Sequence, residues 1–311
     1  VLTVLTWLWA QPGGKTTYTA AHVNVWADMV RRNLSRPHDL ACVTDMPAGI
    51  DRRVRIIRPP GDFEAVTIPS WRHGRPSCFR RIAMFRPDAA ALFGGDVLVQ
   101  LDLDVVVVAP IDPLFAGGEA FRIARGTAGR RTCNGSLWML KAGSHPQVFT
   151  TFTPERAAAA GRRHVGSDQS WLAAMLPKAP TWGLEDGVAA WHQRAYATKT
   201  LRLLTYPGEV KPDRIAAAGR DALVVRHYRR DTVGRALLLG YGPTLWRDVE
   251  AVLETGARFD AVIASPEAAR HWPGEVAAVA WDDAHAERIA AMQGYVPVWC
   301  GKSGGANAVA A

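Results

Sequence analysis

Cysteine is scarce: 311 residues carry only four, at positions 42, 78, 133 and 300. None pairs with another at a C-x-x-C spacing, which excludes that metal or redox motif. The set reads as reduced, mostly buried thiols of a cytoplasmic protein. Long apolar runs are missing too. No stretch reaches the ~18 consecutive apolar residues of a membrane span. The apolar opening VLTVLTWLWA has neither a basic start nor a small-residue cleavage site, so it reads as a first core strand rather than a signal peptide. Blocks of like charge are also absent. The net charge is +8, yet the basic residues lie in scattered pairs such as Arg31-Arg32, Arg80-Arg81, Arg130-Arg131 and Arg229-Arg230. With no Lys/Arg tract and no basic amphipathic helix, nucleic acid is disfavoured as the main partner. The positive excess suits phosphate groups on a small substrate or, at most, a peripheral contact with an acidic membrane. At 48% hydrophobic and 21% charged residues, the remainder is an ordinary globular composition, long enough for a substantial core.

The most informative stretch that is present is 95–114, GDVLVQLDLDVVVVAPIDPL. An apolar run on each side of Asp102 and Asp104 reads as a buried strand leading to a functional edge. Residues i and i+2 share one face of a strand, so the two carboxylates are expected on one side with Leu101 and Leu103 on the other. Ionised Asp is seldom buried without a partner, and a hard divalent cation is the simplest partner for two adjacent carboxylates. The other reading of so short a triplet is a solvated edge or turn.

Strand and helix signals alternate along the chain. Residues 1–9, 39–44 and 53–58 read as strands. Residues 18–33, 77–85 and 87–93 read as helices, the last with proline tolerated in its first turn. Beyond the central strand, 136–140 reads as a strand, 147–152 and 167–176 as helices, and 183–205 as irregular. Residues 222–227 read as a late strand and 244–253 as a helix. This alternation predicts an α/β fold with a largely parallel sheet covered on both faces. From about residue 256 the texture changes to short strand and helix units, which predicts a small α/β extension over 246–300 before a flexible tail at 301–311. No internal repeat is visible in the sequence.

In open α/β sheets, ligands bind outside the carboxyl ends of the strands. Three segments carry polar residues to such expected ends: Thr44-Asp45, Asp102 with Asp104, and His227. The ordered segments YTAAHVNVWADMVRRNL, CVTD, FRRIAMF, QLDLDVVVVAPIDPLF, CNGSLWML, GSDQSWL and LVVRHY resemble GT-A fold glycosyltransferases. The likeness is to bacterial enzymes similar to glycosyltransferase family 8, and it covers residues 1–245.

The resemblance implies a GT-A (Rossmann-like) domain that transfers a hexose from a nucleotide sugar, a UDP-sugar in most such enzymes, to an acceptor hydroxyl of a glycan, lipid or protein. It further implies a Mn²⁺ (or Mg²⁺) ion and retention at the sugar carbon. Asp102, Asp104 and His227 would hold the metal; His227 could equally be a surface histidine among arginines. After it, Tyr228-Arg229-Arg230 stands where the family has glycine and a Lys-Pro pair. Arg81 would contact the donor, or be a solvated helix charge. Asp45 would reach the ribose or base, or close a turn before Met46-Pro47. Thr6 and Trp7 would line the base pocket, although Trp7 could be core. Asn134 would orient sugar hydroxyls, or form an Asn-Gly turn. Asp168 and Gln169 would be catalytic or acceptor-orienting, while a helix N-terminal role at Ser167-Asp168 is the structural alternative.

Two lookalikes fail. Gly14-Lys15-Thr16 and Gly301-Lys302-Ser303 imitate the end of a P-loop, but its first glycine would fall at Trp9 and Val296. A sugar nucleotidylyltransferase would need a Gly-rich, Arg-containing loop after the first strand, and none is present. A non-catalytic nucleotide-sugar-binding protein and a nucleotidyltransferase using the same metal site stay open as alternatives.

Overall fold

Seven consecutive buried residues, Leu2–Leu8, form β1, as a strand covered on both faces requires. The computed structural model describes residues 1–10, 18–67, 78–197, 200–231, 234–254 and 259–303. Parallel partners flank β1: β2 (His38–Thr44) on one side and β4 (Val97–Leu101) on the other. Beyond β2 lies β3 (Arg55–Ile57). Beyond β4 come β7 (Arg131–Lys141), β6 (Phe121–Ala128) and β8 (Thr181–Trp182), giving the order β3-β2-β1-β4-β7-β6-β8. Only β7 runs against the others. The order reverses between β1 and β4, the switch point at which the carboxyl ends of such sheets form a crevice.

One face of this sheet is closed by Leu5, Trp7, Leu98 and Trp138 from the strands. They pack with Phe79, Ile82 and Phe85 of a 3₁₀ helix over Cys78–Phe85, with Phe93, and with Trp171. Phe93 ends α2 (Ala89–Phe93), which is stopped by Gly94 in the left-handed region at φ 69°. Trp171 lies in α5 (Asp168–Met175), preceded by α3 (Gln147–Thr150) and α4 (Pro154–Arg163). Helix α1 (Ala20–Asn33) begins after Thr19, ends on Arg31 and Arg32 as the helix dipole favours, and packs on β1 and on β5 (Val105–Val107). Residues 11–17 and 68–77, which include the Gly14 lookalike, lie outside the described residues.

Two expectations change here. Strand β4 stops at Leu101, so Asp102, Leu103 and Asp104 form a turn before β5 rather than a strand end. The exposure still alternates, with Leu103 buried and both Asp residues half-buried. The segment 183–205, expected to be irregular, contributes β9 (Val188–Ala190) and β10 (Leu203–Thr205). They join β5 in a three-stranded sheet of order β5-β10-β9. Three-residue strands are too short to show a period; pairing reveals them, β10 with β5 and β9 with β10.

The chain divides into two units, Val1–Glu209 and Val210–Ala311. The second unit carries α6 (Pro212–Ala218), α7 (Ala222–His227), β11 (Gly234–Leu239), α8 (Leu245–Glu254), β12 (Ala261–Ala264), α9 (Pro266–His271), β13 (Ala278–Val279), α10 (Asp283–Gln293) and β14 (Tyr295–Cys300). Its sheet is all parallel, in the order β13-β12-β11-β14. Alternate residues of β11 serve two cores: Leu238 packs with Ile263, Ile289 and Trp299, and Leu237 and Leu239 with Val249 and Val252. The division therefore falls earlier than the expected boundary at 245, because β11 is the centre of the second sheet. The expected strand over 222–227 is helix α7. Its apolar ALVVRH run fits either state, and Asp221 decides by accepting from the backbone N–H groups of Leu223 (3.0 Å) and Val224 (3.3 Å).

Trp26 in α1 is wholly buried. Trp26→Ala is expected to cost about 3–5 kcal/mol, read as a lowered urea midpoint, with Trp26→Phe losing less.

Candidate functional site

Arg81 sits in the 3₁₀ helix with 5% of its surface exposed, and a guanidinium so placed must be neutralised. Two carboxylates meet it. Its Nε and Nη2 donate to Asp168 Oδ2 at 2.7 and 2.6 Å, a fork that a lysine could not form. Its Nη1 donates to Asp102 Oδ1 and, at 3.2 Å, to the carbonyl of Gly135. Its guanidinium also lies 5.0 Å from the centre of the Trp138 ring. The expected donor-contacting arginine is therefore an internal strut whose donors are engaged by the protein itself.

Each partner is delivered by a local feature of the chain. Asp102 follows β4, and its N–H continues the ladder by donating to Ser136 O at 2.9 Å. Its Oδ1 also accepts from Gln100 Nε2 at 2.8 Å; Gln100 is fully buried two residues earlier on the same strand face. Gly135 lies where the register between β6 and β7 slips, between the pairs Ile123 with Trp138 and Ala124 with Asn134. Such a bulge re-aims the chain, and here it presents the Gly135 carbonyl to Arg81. A Cβ on Gly135 would sit 3.1 Å from Arg81 Nη2 and 3.4 Å from Asp168 Oδ1, so glycine suits this close approach.

Asp168 opens α5 and is 2% exposed. Its Oδ1 accepts from the Gln169 N–H at 2.8 Å and from Ser167 Oγ at 3.3 Å. Ser167 makes no side-chain cap, so Asp168 combines the place at the positive helix end with the Arg81 pair. Gln169 locks the neighbouring turn: its Oε1 accepts from Gly135 N at 3.1 Å and its Nε2 donates to Val165 O at 2.8 Å. Beside it Cys133 donates its thiol to Gln169 O, and burial, with the charge of Asp168 adding, pushes that thiol up to about 12. It is no thiolate at neutral pH.

The other expected site residues make contacts of their own. Asp104 accepts from Tyr18 Oη at 3.1 Å. Asn134 is buried, with its amide used inside the protein: Nδ2 donates to Thr205 Oγ1 and Oδ1 accepts from Ser136 N. Thr6 and Trp7 are buried within β1, where Trp7 packs on Phe93 and Trp9; the half-buried residue that leaves the strand is Trp9. Asp45 is exposed directly after β2. His227 ends α7 in the second unit, half-buried. Gln100, Gly135, Trp138 and Trp9 escaped the sequence reading. Gln100 alone had a signal, an amide two positions before a carboxylate inside an apolar strand.

Charge decides what this edge can hold. Burial pushes Asp102 up to about 6, against the opposing pull of Arg81 and with Asp104 and Asp168 adding to the rise. Burial likewise raises Asp168, again opposed by Arg81. Arg81 in turn is raised, because the two carboxylates outweigh the cost of its burial. One guanidinium meets the two carboxylates of Asp102 and Asp168, and the charge of Asp104 also acts on Asp102; a divalent cation would ease that repulsion. The donors at Asp102 and Asp104 are hard oxygens, which suit Mg²⁺ or Mn²⁺. Among the described residues no group of three or more His, Cys, Asp or Glu side chains is gathered for a metal. No described helix is long and apolar enough to cross a membrane.

No protein-family model matches the chain, and no curated protein matches it in sequence. Solved structures do. The galactosyltransferase LgtC, in complex with donor and acceptor sugar analogues, is 13% identical with a TM-score of 0.46, over 68% of this chain and 88% of that one. The glycosyltransferase GlyE of Streptococcus pneumoniae TIGR4 is 11% identical with a TM-score of 0.42, over 95% and 80%. Mouse xyloside xylosyltransferase 1 is 10% identical with a TM-score of 0.42, over 67% and 98%. At such identities and TM-scores the functional reading rests on the chain's own residues.

Arg81→Met would strand Asp168 in the interior. A loss of about 3–5 kcal/mol is expected by urea denaturation, partly recovered in Arg81→Met/Asp168→Leu. The Asp102 carboxyl is expected to titrate near pH 6 by ¹³C NMR of the metal-free protein. Its folded value lies above the ordinary 3.8, so the folded state binds more protons between the two values. Its contribution to stability is thus present at low pH and lost as the pH rises through about 6. Asp102→Asn should flatten that part of the stability profile.

Proposed function

We propose that the chain is a glycosyltransferase of GT-A type that moves a sugar from a UDP-sugar to an acceptor hydroxyl, with a divalent metal at Asp102 and Asp104. The observation that carries this reading is the position of the two carboxylates. They follow β4 at the carboxyl edge, beside the strand-order reversal, in a cluster with excess negative charge. Nucleotide ligands favour that crevice, and a cation there gives a diphosphate something to bind.

When bound, Mn²⁺ or Mg²⁺ supplies neutralisation of the charge on the departing nucleoside diphosphate. The protein's own residues do the rest. Arg81 and Gln100 hold Asp102 Oδ1, which fixes the carboxylate plane and directs its second oxygen. Asp168, buried with Oδ2 on Arg81 and Oδ1 on Gln169 N, holds the guanidinium that fixes Asp102. Gln169 fixes the Gly135 turn that carries the Arg81 contact. Retention at the sugar carbon belongs to the same proposal. The low cysteine content and the absence of a long apolar run support a cytoplasmic setting.

Calorimetry with UDP and Mn²⁺ tests it. Binding is expected in the wild type, with a loss of at least tenfold in Asp102→Ala and in Asp104→Ala and on chelation. UDP affinity indifferent to chelator and to both Asp substitutions would sink the metal reading. Metal-dependent release of UDP from a panel of UDP-sugars would separate turnover from mere binding, and the product's anomeric configuration by NMR would report retention.

A further inference from the structure

The residue next to Arg81 is placed very differently. Arg80 is half-buried, and its guanidinium carbon stands 4.6 Å from the centre of the Trp9 ring, close enough for a cation–π contact. Its Nε is buried and has no hydrogen-bond partner among the described residues. The charges of Glu64 and Asp45 act on it, but neither forms an ion pair with it. Trp9 follows β1, whose carboxyl end lies at the reversal of strand order, between β2 and β4. Through its neighbour Arg81, Arg80 is anchored one residue from the Asp102 contact.

We propose that Arg80, stacked on Trp9, is the cation that receives the phosphoryl oxygens of the nucleoside diphosphate, while Arg81 remains internal. The assignment rests on the nucleotide-sugar reading above and names the protein's own counter-charge for it. Three observations converge. Arg81 has spent its Nε, Nη1 and Nη2 on Asp168, Asp102 and Gly135. The carboxylates at this edge exceed the internal guanidinium in charge, so an incoming polyanion needs a further cation beside any metal. The fork of a guanidinium matches phosphate geometry, and Trp9 lies against this one. Burial lowers the Arg80 pKa, a cost of lost solvation that a bound anion would relieve.

The test compares wild type, Arg80→Gln and Arg80→Lys by calorimetry against UDP, uridine and inorganic diphosphate, each with Mn²⁺ and with chelator, after circular dichroism has shown all three to be folded. Expected is a roughly ten- to hundredfold loss of UDP and diphosphate affinity in Arg80→Gln, the scale of a lost charge-assisted hydrogen bond. Arg80→Lys should recover part of it, and the affinity for uridine should not change. Equal UDP affinity in wild type and Arg80→Gln overturns the assignment and leaves the nucleotide-sugar reading standing. Diphosphate binding that depends on Arg80, without preference for UDP, supports the anion site and overturns the nucleotide reading. Binding of neither ligand under either condition overturns both.

Discussion

The guanidinium of Arg81 is the constraint on which the edge of the large sheet depends. It joins a turn after β4, the bulge of β7 and the first residue of α5, three segments far apart in the chain. A cation this deep is tolerable only while both carboxylates stay in place. That requirement reaches outward: Gly135 leaves room for the fork, Gln169 pins the turn that carries Gly135, and Trp138 supplies a ring beneath the guanidinium.

This arrangement trades stability for geometry. Apolar residues of similar volume would pack the same space without desolvating three charges, and in other proteins such replacements are often neutral or stabilising. What the ionic version provides is a fixed Asp102 carboxylate at the crevice and a local surplus of negative charge. Both features have little value to a purely structural edge and clear value to one that receives a cation. The neighbouring arginine is placed differently: Arg80 lies against the Trp9 ring, and its buried Nε has no partner among the described residues.

The parts of this architecture legible in the sequence were those dictated by local periodicity. The largely apolar run of β1 and the alternation of strand and helix gave the α/β class. Leucine between two aspartates gave the alternation of exposure around Leu103, although the residues form a turn. Where the local signal was ambiguous the reading went astray. The ALVVRH segment suits a strand as well as a helix, and the cap from Asp221 settled it. Residues 203–205 became a strand by pairing with β5, and residues 188–190 by pairing with 203–205 in turn. The earlier division of the chain follows from β11 finding its partners in β12 and β14.

The candidate site divides along the same line. The sequence by itself determined that two carboxylates follow an apolar strand in a basic, cysteine-poor α/β chain, because strand period and hydrophobic burial act between near neighbours. Tertiary structure alone decided that Arg81 turns inward to Asp102 and Asp168, that Asn134 spends its amide on Thr205, and that Trp9 rather than Trp7 reaches the edge. Those outcomes depend on which distant segment lies opposite, on a register slip in β7 and on the desolvation of a shared charge. Such long-range terms leave no periodic trace in a single chain.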